Sequence, residues 1–154
     1  MKLNHFDADE FREWYGMMAP ELLVRLDALR GVLGYPVFIS TNPDAIGRTL
    51  GKGGSTSQHN VDRWGEVRAV DIFPSKIEPR RWVKAAKLVG FRGVGCYPAT
   101  TYRGRAWAMM HVDTGEHKAW RSWGVLGSGK NRDEVSLEAG IEQIERNIRA
   151  GIYE

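Results

Sequence analysis

Four residues of this chain have types and spacing that can do chemistry. His59 closes the polar, glycine-fed stretch "GGSTSQH", Asp71 lies inside the apolar run "RAVDIF", and His111 and Asp113 fall together in "WAMMHVDTG". Burying a carboxylate without a partner is costly, so Asp71 needs a counter-charge or a hydrogen-bond donor. On a strand, residues two apart project from one face, so His111 and Asp113 point together. Two neutral imidazoles and one carboxylate, with a fourth position left to water, form a catalytic zinc set. Such a metal makes an inward-pointing Asp71 tolerable and lowers the pKa of its water to about 7, giving a hydroxide for hydrolysis. The metal-free alternative is a salt bridge from Asp71 to Arg68 or Arg92, with His59 an exposed loop residue. His5, near the start, and His117, in the charged turn "TGEHKAW", lack an acid-bearing element beside them.

These residues must be carried by a fold, and the pattern predicts α+β. Asp7 and Glu10 stand in the capping-box arrangement, so a helix is expected from Ala8. "PELLVRLDALRGVLG" opens on Pro20, places Leu22, Leu23, Leu26 and Leu29 on one face, and ends at Gly31 or Gly34. "YPVFIST" and "EVRAVDIF" predict strands, and "EPRRWVKAAKLVG" a helix. "FRGVGCYP" and "RAWAMMHVDT" predict two more strands, and Val135, Leu137, Ile141, Ile144 and Ile148 an amphipathic C-terminal helix. The irregular, glycine-rich segment 42–60 is long for a passive connection, and long loops in compact domains are often functional. The expected architecture is a single domain, residues 1–154, with a small antiparallel sheet and flanking helices.

Composition narrows the function. A chain of 154 residues buries a proper core, and its single cysteine, Cys96, excludes an internal disulfide and a cysteine-based zinc knuckle. A net charge of +3 favours anionic partners. The basic residues are scattered, which does not predict a specific nucleic-acid footprint. No apolar run is long enough to span a membrane. "MKLNHFDADEF" lacks an apolar h-region, so the expected chain is made in the cytoplasm without a signal peptide. A monomer is the expected state.

The motifs resemble a known family. "LNHFDADEF", "GGSTSQH", "RAVDIFP" and "GVGCYP…MMHVDTGEHKAW" are similar, in this order and over nearly the whole chain, to the zinc D-Ala-D-Ala carboxypeptidases and murein endopeptidases. The likeness is to the phage cell-wall peptidase branch of that family. The resemblance implies the hedgehog/DD-peptidase fold and a zinc ion held by His59, Asp71 and His111. It implies hydrolysis of peptide bonds in peptidoglycan stem peptides or cross-links, by an endopeptidase or a D,D-carboxypeptidase. The site of action would be the bacterial cell wall in the host periplasm, reached by an endolysin or a virion component. A non-catalytic virion or wall-binding module that keeps the fold and the metal is the alternative.

Three departures carry consequences. Eleven residues separate His59 from Asp71, more than the family pattern, and Glu66 falls at the family's usual spacing. Glu66 is therefore a rival ligand and, on the inserted "DRWGEVR", a candidate catalytic acid. Many members carry the catalytic acid three residues before the last histidine, where this chain has Ala108. Asp113 is then the candidate base, with orientation of a histidine ligand as its rival role. The family's substrate-gripping arginine has no direct counterpart, and Arg48 is the candidate replacement, since a guanidinium fork suits a carboxylate. Ser57 is expected to bond local backbone or substrate, Trp64 to contact sugar or peptide, and Trp120 and Trp123 to pack. Cys96 reads as inert core.

Overall fold

The computed structural model describes residues Met1–Glu154. Its six strands are β1 (Val37–Ile39), β2 (Ala69–Pro74), β3 (Gly93–Tyr102), β4 (Arg105–Asp113), β5 (Arg121–Leu126) and β6 (Asp133–Val135). They form one sheet in the order β1-β2-β4-β3-β5-β6. Four α-helices flank it, α1 (Pro20–Leu33), the single turn α2 (Val61–Trp64), α3 (Pro79–Val89) and α4 (Leu137–Arg149). No helix is long and apolar enough to cross a membrane. The α+β expectation holds, with one correction to the sheet: β3 and β5 run parallel. Both edges of β4 are taken, by β2 and β3, and β4 ends where β3 begins, at the pair Gly93–Asp113. The short link 114–120 rounds that end and starts β5 opposite Gly93, so β5 must run with β3.

Alternation along the strands gives the sheet two different faces. Val70, Ile72, Val94, Cys96, Ala108, Met110 and Val112 join the core cluster with the leucines of α1 and with Trp82, Ile141 and Ile144. The Cys96 thiol is wholly buried, and burial pushes its pKa up to about 12, in keeping with inert core. The opposite face carries Asp71, Phe73, Tyr97, Met109, His111 and Asp113, all lining one cleft. Strand β2 is buried along its full length, because helices cover one face and residues from the 40–60 segment cover the other. This double cover explains how a charged residue comes to stand in an apolar run.

The terminal elements depart from expectation in detail. Residues Ala8–Met17 form a 3-10 helix, broken at Arg12 where φ is 56°. The Arg12 guanidinium donates to the carbonyls of Ser40 and Asn42, which anchors the chain leaving β1. Gly34, with φ of 73°, ends α1, while Gly31 stays inside the helix beneath the His5 ring. Val135 belongs to β6 and Ile148 is exposed, so the apolar stripe of α4 is shorter than predicted. Gly124 and Gly140 meet backbone to backbone: a Cβ on Gly124 would lie 2.8 Å from the Gly140 Cα. That contact seats α4 directly on β5.

Candidate metal centre

The sheet register builds half of the site. Asp71 and His111 are direct partners across β2 and β4, and the same row continues through Gly95 on β3 to Trp123 on β5. A Cβ at Gly95 would sit 2.6 Å from the Trp123 indole, so only glycine lets that ring reach His111, at 5.0 Å between centroids. The neighbouring row runs Asp113, Gly93, Arg121, and a Cβ at Gly93 would collide with the Asp113 carboxylate. The two glycines of "GVGCYP" thus clear the floor beneath His111 and Asp113.

His59 reaches the site on the 42–60 segment, which is buried at 45–47 and 59–60 and exposed between, at 49–54. Ala45 and Ile46 are fully buried, and the Trp14 ring lies on Gly47. Buried Asn60 ties the segment together: it accepts from the Leu50 amide and donates to the carbonyls of Gly51 (2.9 Å) and Ser55 (2.8 Å). The Asp71 amide donates to the Ala45 carbonyl at 2.9 Å, which joins this segment to β2.

The hydrogen bonds settle which ring nitrogens face inward. His59 Nδ1 lies 2.6 Å from the Ile46 carbonyl, which can only accept, so Nδ1 carries the hydrogen and Nε2 is bare in the neutral ring. His111 Nε2 lies 3.0 Å from Asp113 Oδ2, and with Nε2–H donating there the neutral ring turns a bare Nδ1 to Asp71 and His59. These two nitrogens are 3.3 Å apart, and Asp71 Oδ1 lies 3.5 Å from His59 Nε2 and 3.1 Å from His111 Nδ1. With both rings neutral in these tautomers, three lone pairs converge. That arrangement repels itself unless a cation stands in the middle, and the ligand atoms, all within 4.8 Å of one another, are close enough to bind one metal ion.

Without metal, a proton takes that role. Burial alone would depress the His111 pKa, but the hydrogen bonds to Asp113 and Asp71 outweigh it and raise it to about 9. Asp71 moves the other way: burial is outweighed by the bonds from His111 and His59, and its carboxyl is held well below the usual range. The raised His111 pKa contributes stability that is fully present below about 6.5 and lost as pH rises through about 9. Metal must displace the same proton. Zinc affinity, measured by competition with a chelating dye, is therefore expected to climb about tenfold per pH unit between those values. A flat affinity over that window would contradict the site.

The structure brings most of the expected residues together. Arg48 lines the cleft, with Nη2 at 3.6 Å from Asp71 Oδ2 and Nε donating to the Asp44 carbonyl at 2.7 Å. Asp71 therefore pairs with Arg48, not with Arg68 or Arg92. Ser57 also lines the cleft, and its Oγ accepts the His59 amide at 3.3 Å. Asp113 is 1% exposed and both oxygens are engaged: Oδ2 by His111, Oδ1 by the Gly115 amide (3.0 Å) and His117 Nε2 (2.8 Å). That is the geometry of a carboxylate that orients a histidine ligand, one of the two roles its spacing allowed.

Glu66 requires a correction. It lies outside both the ligand cluster and the cleft lining, and pairs with Arg68 Nε at 2.9 Å. The inserted stretch forms α2, Gly65 turns the chain at φ 72°, and Val67 points inward fully buried, which leaves Glu66 and Arg68 facing the other way. Trp64 is held in place, donating to the Ser57 carbonyl at 2.8 Å beneath the Arg63 and Arg68 guanidinium groups. Among the cleft residues that escaped sequence reasoning are His117, Tyr97, Trp123, Arg121 and Arg132. Trp123, expected only to pack, lies against His111, and the alternation of Tyr97 with Gly95 and Gly93 was the signal that could have placed Tyr97 on this face.

No family model, curated protein or solved structure matches the chain. The geometry of the site itself is what bears on function.

Proposed function

We propose that this chain is a zinc-dependent peptidase that hydrolyses peptide bonds of peptidoglycan, of the kind encoded by phages for wall lysis or carried in the virion. One observation carries the proposal: three atoms able to bind a metal, two imidazole nitrogens and one carboxylate oxygen, meet on the floor of an open cleft of about 1030 Å³. That volume leaves room for a peptide beyond the ion. His59, Asp71 and His111 would hold the zinc, which when bound would supply Lewis-acid polarisation of a scissile carbonyl and an activated water.

The rest is done by the chain's own side chains. Asp113 holds the His111 tautomer through Nε2–H and fixes the ring plane. The same carboxylate holds His117 in the cleft wall by its Nε2, and the free Nδ1 of His117 is the atom we assign to carry the water's proton to the departing amine. Arg48 stands on one side of the centre and Arg121 and Arg132 also line the cleft, suiting the carboxylates of a stem peptide. Ala108 is wholly buried on the helix-facing side of β4, so no acid acts from that position. This observation favours the second reading, a non-catalytic wall-binding or virion module.

Digestion of purified peptidoglycan distinguishes the two. With zinc, mass spectrometry is expected to show new peptide ends that vanish on chelation and return when zinc is restored. Zinc bound in full with unchanged muropeptides on every wall type would overturn the peptidase and leave the module.

A further inference from the structure

Tyr97 is a cleft residue that the chemistry above leaves without a role. Register pairs it with Met109, two residues from the His111–Gly95 pair, so its side chain stands on the site face of β3. The sheet register breaks immediately after it, between Tyr97 and Thr100, and bulges of this kind re-aim side chains beside active sites. Trp123 Nε1 donates to the Tyr97 hydroxyl oxygen at 3.0 Å. The hydroxyl donates to no protein group, so its hydrogen is free to point into the cleft. The indole that fixes this oxygen is the one packed on His111. Tyr97 is therefore set at a defined place relative to a metal ligand, within electrostatic reach of Asp71 and Arg48.

Resting on the peptidase reading, we propose that Tyr97 is a catalytic residue whose O–H bonds to the scissile carbonyl oxygen and, more strongly, to the oxyanion that replaces it. When water adds, a C–O bond forms and the carbonyl π pair moves onto that oxygen. When the C–N bond breaks, the pair returns to re-form the carbonyl, and the water's proton leaves on the amine. Tyr97 gives up no proton in either step. Burial raises its pKa against the opposing bond from Trp123, which keeps the phenol intact as a donor at neutral pH. A donor aimed at developing charge stabilises the transition state more than the ground state, and removing one costs roughly 10²–10³ in kcat.

Tyr97→Phe deletes the donor and keeps the ring. In the zinc-loaded protein it is expected to lower kcat on a soluble stem peptide about 100-fold. KM should change far less than kcat, and zinc stoichiometry and melting temperature should stay unchanged. A phosphinate dipeptide isostere, which mimics the tetrahedral oxyanion, should lose affinity by a similar factor, while an uncleavable amide analogue loses far less. Unchanged kcat, or equal losses for the two analogues, would overturn the role of Tyr97. If wild-type protein cleaves nothing, the peptidase reading fails. The phosphinate measurement still decides on Tyr97, since equal binding by wild type and Tyr97→Phe removes its role.

Discussion

His111→Ala protein is expected to retain no zinc after dialysis and to release no peptide ends from peptidoglycan above background. His111 is the hub of the site: it supplies Nδ1, bonds Asp71 at 3.1 Å and Asp113 at 3.0 Å, and packs on Trp123. Its removal leaves one imidazole and one carboxylate, too few ligands to hold a catalytic zinc. The metal-free protein should also lose stability, because Asp71 keeps only His59 and Arg48 as partners inside a buried cluster. Breaking a buried charged pair costs about 3–5 kcal/mol, and thermal unfolding below pH 6.5, where His111 is protonated, should show the full effect. At pH above 9 the stability difference should shrink, since wild type has by then lost the same proton. Wild-type hydrolysis rates in His111→Ala would exclude His111 from the centre.

Asp113→Ala is expected to act on the metal rather than on turnover alone. With the carboxylate gone, His111 Nε2–H loses its acceptor, the ring is free to change tautomer, and zinc affinity should fall about 10–100-fold. His117→Ala removes a neighbour that does not touch the ligand cluster, so it should keep zinc affinity and lose turnover. The pair of variants separates orientation from proton transfer. Asp113→Ala with full zinc affinity would show that His111 needs no carboxylate to orient it, and His117→Ala with wild-type turnover would displace His117 as the proton carrier.

Sequence reading placed the strand half of this site and missed most of what surrounds it. Period two put His111 and Asp113 on one face, and Asp71 stood out as a charge inside an apolar run; only the register made Asp71 and His111 direct partners. His59 carries no periodicity. Its place depends on the Asn60 knot and on the Ile46 carbonyl, contacts between residues whose spacing follows no repeat. Glu66 was misplaced because a single helical turn and one left-handed glycine reverse which side chains face inward. The role of Asp113 could not be decided from spacing, since two of its partners, Gly115 and His117, lie in a turn that folds back only in three dimensions. Strand β5 gave little signal because serine and glycine interrupt "RSWGVL", and with it went the approach of Trp123 to His111.

Calorimetric titration of zinc into metal-free wild-type protein at pH 7.5, beside the double variant His59→Ala/His111→Ala, addresses the metal centre directly. The expected result is saturation at a single zinc per wild-type chain, with proton release detectable by changing the buffer, and no comparable binding in the double variant. Equal zinc uptake by the two proteins, or none by wild type, would contradict a metal centre formed by His59, Asp71 and His111.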